Sequence, residues 1–274
     1  MPAAFPVGPL SPCARAPNIL WRRVSTRKIW YTVILVEEEV CSPHRVLDNL
    51  RRIRERISAA ARRAGRDPGA AEIVAVIKSA RPEDVRALLN SRRIRWMGEN
   101  RIQAARQRPD STGPAGRRFI GHLQTNKARQ AVGLFEWIDS LDSLRLAEAL
   151  EKALQPQGSR QKVLIQVKLT SRESQGGVTP SDLEGFLDGL SGFPSLIPGG
   201  LMGIAPFIEP LEAVRPHFRT MHELFVKHFG DRKLEDGGPY LSMGMSRDFE
   251  IAVEEGANLV RIGTALFENS RTGH

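Results

Sequence analysis

The sequence predicts a single (β/α)8 TIM barrel preceded by one extra N-terminal helix. Downstream of residue 43, eight short apolar runs alternate with helical patterns. Such alternation implies a parallel sheet, because each helical crossover returns the chain to the same end before the next strand. The eight runs fit within about 200 residues, the lower end of the size range for a closed eight-stranded barrel. After the first run stands Lys78-Ser79-Ala80-Arg81-Pro82, not the glycine-rich turn of an open dinucleotide-binding sheet.

The extra helix is expected over Arg45–Ala64. There Val46, Leu50, Ile53, Ile57 and Ala60-Ala61 recur three and four residues apart, as on one buried helix face. Gly65 closes it, and Pro68-Gly69 marks the next turn. Strands are expected at Ile73–Ile77, Ile94–Met97, Arg118–Gly121, Trp137–Ser140, Val163–Val167, Ile197–Gly203, Tyr240–Met243 and Leu259–Gly263. Helices are expected at Pro82–Leu89, Arg101–Arg108, Thr125–Val132, Ser143–Ala153, Pro180–Leu190, Leu211–Phe229 and Ser246–Glu255. A last helix would start near Ala265 and is barely present.

Composition restricts the function classes. With 274 residues, 41% hydrophobic and 26% charged, the chain reads as an ordinary soluble globular protein. Cys13 and Cys41 lie upstream of the barrel and match neither metal-ligand spacing nor a disulfide framework, so the expectation is a cytoplasmic protein without a metal. The net charge of +9 is uneven: residues 1–110 carry 22 Lys and Arg against 11 Asp and Glu, and the remainder 18 against 20. The basic residues interleave with alanines and acids at helical spacing and not with aromatics. They read as solvated helix faces, and no specific nucleic-acid partner is expected. Residues 1–42 are proline-rich, and their apolar patch Ile29–Val36 is too short to span a membrane. No signal-peptide pattern precedes a cleavage site. This segment is expected to be a disordered extension or the product of a start codon placed too early, with the barrel occupying 43–274.

In a (β/α)8 barrel the working residues sit at the C-terminal ends of the strands. Strand one ends at Lys78, after IVAVI. Burial among aliphatic neighbours would disfavour the charged amine, and a neutral amine is what Schiff-base chemistry needs. A lysine that merely snorkels at a strand end is the bland alternative. Strands two and three end in Gly98-Glu99-Asn100 and Gly121-His122-Leu123-Gln124; such polar residues line a mouth or cap the next helix, as Asn100 would. The loops after strands seven and eight recur as the phosphate site of this fold. Here Ser242, Met243, Ser246, Gly263 and Thr264 are the candidates, with Gly244 and Gly263 open also to a plain turn role. A Schiff-base lysine at one end and a phosphate cup at the other describe pyridoxal phosphate (PLP). Arg261 would then meet the pyridine nitrogen. Its permanent charge would oppose protonation there and leave the ring a poor electron sink.

At these residues the chain resembles a known family. The blocks EIVAVIKSARP, MGENRIQ, FIGHLQTNKAR, GLMGIAPF, LSMGMSRDFEIAVEEGA and VRIGTALF are similar, in order from Asp48 to Phe267, to the pyridoxal phosphate homeostasis proteins. The resemblance implies a barrel of the alanine racemase N-terminal type with PLP covalently on Lys78. VRIGTALF also resembles the racemase block whose arginine meets the pyridine nitrogen. Ile77 and Ser79 flank the lysine where the family has serine and threonine, so Ile77 is expected to alter the wall beside it. Glu268 replaces a glycine that touches only the tail.

The function expected is PLP storage, protection and delivery, with no catalytic residue and with PLP-dependent apo-enzymes as partners. The alternative is a weak PLP-dependent amino-acid racemase. Two-base racemisation needs an acid/base on the opposite ring face, which alanine racemase takes as a tyrosine from an additional C-terminal domain. That domain is not expected here, about ten residues remain after the last strand, and the tyrosines are Tyr31 and Tyr240. His122 is the remaining candidate base. A monomer or weak dimer is expected.

Overall fold

The structure, a computed structural model, describes residues 43–108, 113–170, 176–234 and 238–268. The expected extension, 1–42, lies outside them. Eight parallel strands close in sequence order, with β8 pairing back onto β1. They are β1 Glu72–Val76, β2 Trp96–Glu99, β3 Gly116–Phe119, β4 Trp137–Leu141, β5 Gln161–Val167, β6 Leu196–Gly203, β7 Tyr240–Met245 and β8 Leu259–Ile262. The helices are α1 Pro43–Arg63, α2 Pro82–Ser91, α3 Ile102–Gln107, α4 Ala128–Ala131, α5 Leu144–Leu154, α6 Leu183–Leu190, α7 Arg215–Phe229, α8 Phe249–Glu254 and α9 Thr264–Phe267.

Each expected element is present, and the boundary differences have local causes. The helix expected from Ser246 starts at Phe249, because Met245–Asp248 forms a turn in which Asp248 N donates to Met245 O and Met245 N donates to Asp248 Oδ1. The helix expected from Pro180 starts at Leu183, after a turn in which Asp182 N donates to Thr179 O.

Helix α1 buries the predicted stripe: Val46, Leu50, Ile53, Ile57, Ala60 and Ala61 are each 3% exposed or less. It packs on α2, α8 and α9. Asn49 Nδ2 donates to Leu266 O at 3.0 Å, which ties the extra helix to the end of the barrel. Gly65, at φ +68°, ends the helix in a conformation that favours glycine. On the outer side Arg56 and Arg63 pair with Glu250 and Glu254 of α8, so part of the basic front section is matched by acids of the second half.

Strand alternation fills the barrel interior with Val74, Trp96, Trp137, Leu164, Met202, Tyr240 and Leu259. Among these aromatics lies an ion pair with no exposure at all: Arg118 Nε donates to Asp139 Oδ2 at 2.9 Å. The Arg118 guanidinium lies 4.4 Å from the Trp137 ring centroid, 4.8 Å from Tyr240 and 5.0 Å from Trp96. The π faces supply the electrostatic contact that Nη1 and Nη2 lack, since neither has a hydrogen-bond partner among the described residues. Burial pushes the Asp139 carboxyl up from its ordinary value, while Arg118 pulls it down. No helix among the described residues is long and apolar enough to cross a membrane.

Removing one member of a buried pair strands the other charge. Chemical denaturation of Arg118→Met should show a loss of about 3–5 kcal/mol, most of it regained in Arg118→Met/Asp139→Leu. A loss below about 1 kcal/mol for the single variant, in the range of an exposed pair, would contradict the assignment.

Candidate functional site

A cavity of about 860 Å³ opens at the C-terminal ends of the strands. Lys78 and Val76 stand on the β1 side, Gln166, Ile204 and Arg261 reach it from β5, β6 and β8, and Ser246, Gly263 and Thr264 line it after β7 and β8. Asn100 and His122 complete it after β2 and β3. Six of the eight candidate residues therefore share one cavity.

Lys78 is exposed, in the turn after β1, and is not buried among aliphatic neighbours as expected. Burial belongs instead to Ile77, 1% exposed, which packs in the hydrophobic core and does not line the cavity. Ile77 thus forms no part of the wall beside the lysine. The turn is held on both sides: Ile77 N donates to Gly98 O and Ala80 N to Ile77 O, each at 3.1 Å. Behind it Arg108 Nη1 donates to Ile77 O at 2.9 Å and to Glu99 Oε1 at 3.2 Å. Burial pushes the Glu99 carboxyl up, against the pull of Arg108. This support was not foreseen. Arg108 reads in sequence as one more basic residue of a helix, and the contact spans 31 residues.

Arg261 sits at 5% exposure. Its Nη1 donates to Ser242 O and Ser242 Oγ, and its Nη2 to Gly203 O, all at 2.8 Å. Three bonds to β6 and β7 hold the guanidinium in one orientation. Burial lowers its pKa to about 10, with the charges of Asp139 and Asp248 working the other way; it stays cationic at neutral pH.

Two expected cup residues are corrected. Ser242 is fully buried and its hydroxyl accepts from Arg261, so it supports the arginine and does not line the cavity. Met243 is fully buried in the core between barrel and helices. Plain alternation places both: Leu241 and Met243 join the core beneath the helices, Tyr240 and Ser242 face the other way, and the register shift against β8 comes only between Ser242 and Met245. Gly244, at φ +88°, makes that irregularity possible, and a Cβ there would stand 2.5 Å from Ala252 Cβ. The chain is re-aimed so that Met245, Ser246, Arg247 and Asp248 line the cavity. Ser246 Oγ accepts from Ala265 N at 3.1 Å, joining the β7 loop to α9. Helix α9 is a single turn, so an anion here would meet hydroxyls and loop backbone. Arg101, not Asn100, precedes α3, with no side-chain cap bond; Asn100 is left on the cavity wall.

The wall after β6 was also missed. Phe207 is 73% exposed and carries the Arg247 guanidinium 3.9 Å from its ring centroid. Arg247 also donates to Ile208 O at 3.0 Å and pairs with Glu209, which bridges the loops after β6 and β7. Its place directly after Ser246 was the available signal.

Residues 49–270 match the family model described as the alanine racemase N-terminal domain. A pyridoxal phosphate homeostasis protein of Aquifex aeolicus is 39% identical over 222 residues, 80% of this chain and 96% of that protein. One from Escherichia coli K12 is 33% identical over 227 residues, 81% and 95% of the two chains. Among solved structures, PipY of Synechococcus elongatus PCC7942 with PLP bound superposes with a TM-score of 0.67 at 32% identity, over 81% of this chain and all of that one. An alanine racemase of Clostridium difficile 630 shares the fold alone, with a TM-score of 0.62 at 14% identity and 58% of its length covered.

The clamp on the lysine turn is testable by hydrogen exchange. Arg108→Met leaves a buried carboxylate and a carbonyl short of a donor, a loss of about 1–3 kcal/mol. Exchange should rise in the peptide carrying Lys78-Ser79-Ala80 and stay unchanged in α7. Unchanged exchange in the first peptide would show that Arg108 does not hold the turn.

Proposed function

The chain belongs to the pyridoxal phosphate homeostasis proteins, built on the alanine racemase N-terminal domain, and we propose that it stores, protects and delivers PLP without robust catalysis. One observation carries the reading: Lys78, Arg261 and the hydroxyls of Ser246 and Thr264 line a single cavity. An amine, a fixed cation and a hydroxyl cup suit a ligand with an aldehyde, a ring nitrogen and a phosphate. Lys78 Nζ would hold the aldehyde carbon, Ser246, Gly263 and Thr264 would hold the phosphate, and Asn100 would border the ring. PLP supplies an electrophilic carbonyl and, when its ring nitrogen is protonated, an electron sink. Arg261 beside that nitrogen disfavours the second property by like-charge repulsion, which suits holding more than using the cofactor.

The rival, a weak amino-acid racemase, asks for an acid/base on the far face of the ring. Tyr240 does not serve: it is 3% exposed and stacked edge-on to Trp137 at 5.2 Å, inside the barrel. Tyr31 lies outside the described residues, and His122, the remaining candidate base, lines the cavity after β3. The reading extends to a cytoplasmic protein, monomeric or weakly dimeric, with PLP-dependent apo-enzymes as recipients.

Purified protein should be yellow, and borohydride should fix the cofactor's mass on the peptide containing Lys78. Lys78→Ala should lose the visible band while keeping its fold. A variant that retains the band, or a reduced adduct on another peptide, would overturn the site.

A further inference from the structure

His122 follows β3 and Asp142 follows β4. His122 Nδ1 lies 3.4 Å from Asp142 Oδ2, with the imidazole 69% exposed and the carboxylate recessed at 12%. The pair is built in from the side: a Cβ on Gly176 would stand 2.9 Å from Asp142 Oδ2 and 3.9 Å from His122 Nδ1. Gln166 Nε2 fixes that glycine by donating to Gly176 O at 2.7 Å. His122, Gln166 and Gly176 line the same cavity as Lys78. A carboxylate behind Nδ1 favours the tautomer that carries its proton there, which leaves the Nε2 lone pair to the exposed side.

We propose that His122 and Asp142 form a proton acceptor at the cavity mouth through which primary amines, amino acids above all, trigger release of the cofactor from Lys78. The proposal rests on the PLP reading. Amino groups reach the site as ammonium ions, which have no lone pair with which to attack. His122 Nε2 takes one proton, and Asp142 balances the imidazolium. The freed nitrogen attacks the carbon joined to Lys78 Nζ. A new carbon–nitrogen bond forms, the bond to Nζ breaks with its electron pair returning to Nζ, and the attacking amine's remaining hydrogens transfer to Nζ as the double bond moves. His122 then gives its proton to Nζ and is regenerated. No oxidant or reductant is needed. A storage site gains a release trigger that responds to the amino compounds PLP enzymes act on.

The experiment follows loss of the Lys78-bound absorbance when glycine is added to loaded protein at neutral pH. His122→Ala should slow it on the order of 100-fold, the lower range for a positioned general base, and added imidazole should restore much of the rate. Hydroxylamine, already neutral at that pH, should release the cofactor from both proteins equally fast. In the cofactor-free protein, 15N NMR of the neutral His122 ring should show the proton on Nδ1, and Asp142→Asn should redistribute it. An unchanged glycine rate, equal slowing for glycine and hydroxylamine, or no imidazole rescue would overturn the proposal. A wild-type protein that never loads would sink the PLP reading instead, and the NMR measurement would still decide the pair.

Discussion

The site depends on one buried charge. Arg261 is a guanidinium at 5% exposure, bound three times at 2.8 Å to Gly203 and Ser242. Removing an ion from water is expensive, and such a charge persists only where carbonyl and hydroxyl oxygens replace its hydration. Those oxygens come from β6 and β7, so the cation is placed by the closed sheet and not by a mobile loop. Whatever enters the cavity meets a cation that cannot turn away.

The interior beneath is arranged around the same constraint. Asp139 lowers the electrostatic cost of Arg261 while hydrogen-bonded to Arg118, and Arg118 is enclosed by three aromatic faces. The two guanidiniums, Arg118 and Arg261, are opposed by two carboxylates, Asp139 below and Asp248 at the cavity wall. The mouth is softer: Lys78 sits on an exposed turn, and Arg247 spans the loops after β6 and β7 through Phe207 and Glu209. A rigid cation under an accessible lysine is the arrangement that the proposed holding and release of PLP asks for.

Much of the fold was legible because its signals are local. Apolar runs such as IVAVI and the three-and-four spacing of Val46, Leu50 and Ile53 need no distant partner to be read. That Lys78, Asn100, Ser246, Arg261, Gly263 and Thr264 would share one cavity was legible because a barrel puts strand ends together. The misses arise where the third dimension intervenes. Ser242 and Met243 looked like cup residues because LSMGMS does not mark where the strand stops alternating: both still follow β7, and the next residues turn toward the cavity only past the register shift between Ser242 and Met245. Arg108 and Glu99 support the lysine turn through contacts that run behind it, and Gln166 fixes Gly176, ten residues on. The expected burial of Lys78 failed since the strand ends at Val76, one residue short of the expected Ile77, and Lys78 falls in the turn that follows.

That Arg261 keeps the cofactor ring from becoming an electron sink is tested most directly at the ring nitrogen itself. Protein loaded with 15N-labelled PLP should give a pyridine nitrogen shift of the unprotonated ring at neutral pH. A shift characteristic of a protonated pyridinium would contradict the role given to Arg261, and with it the distinction between holding the cofactor and using it.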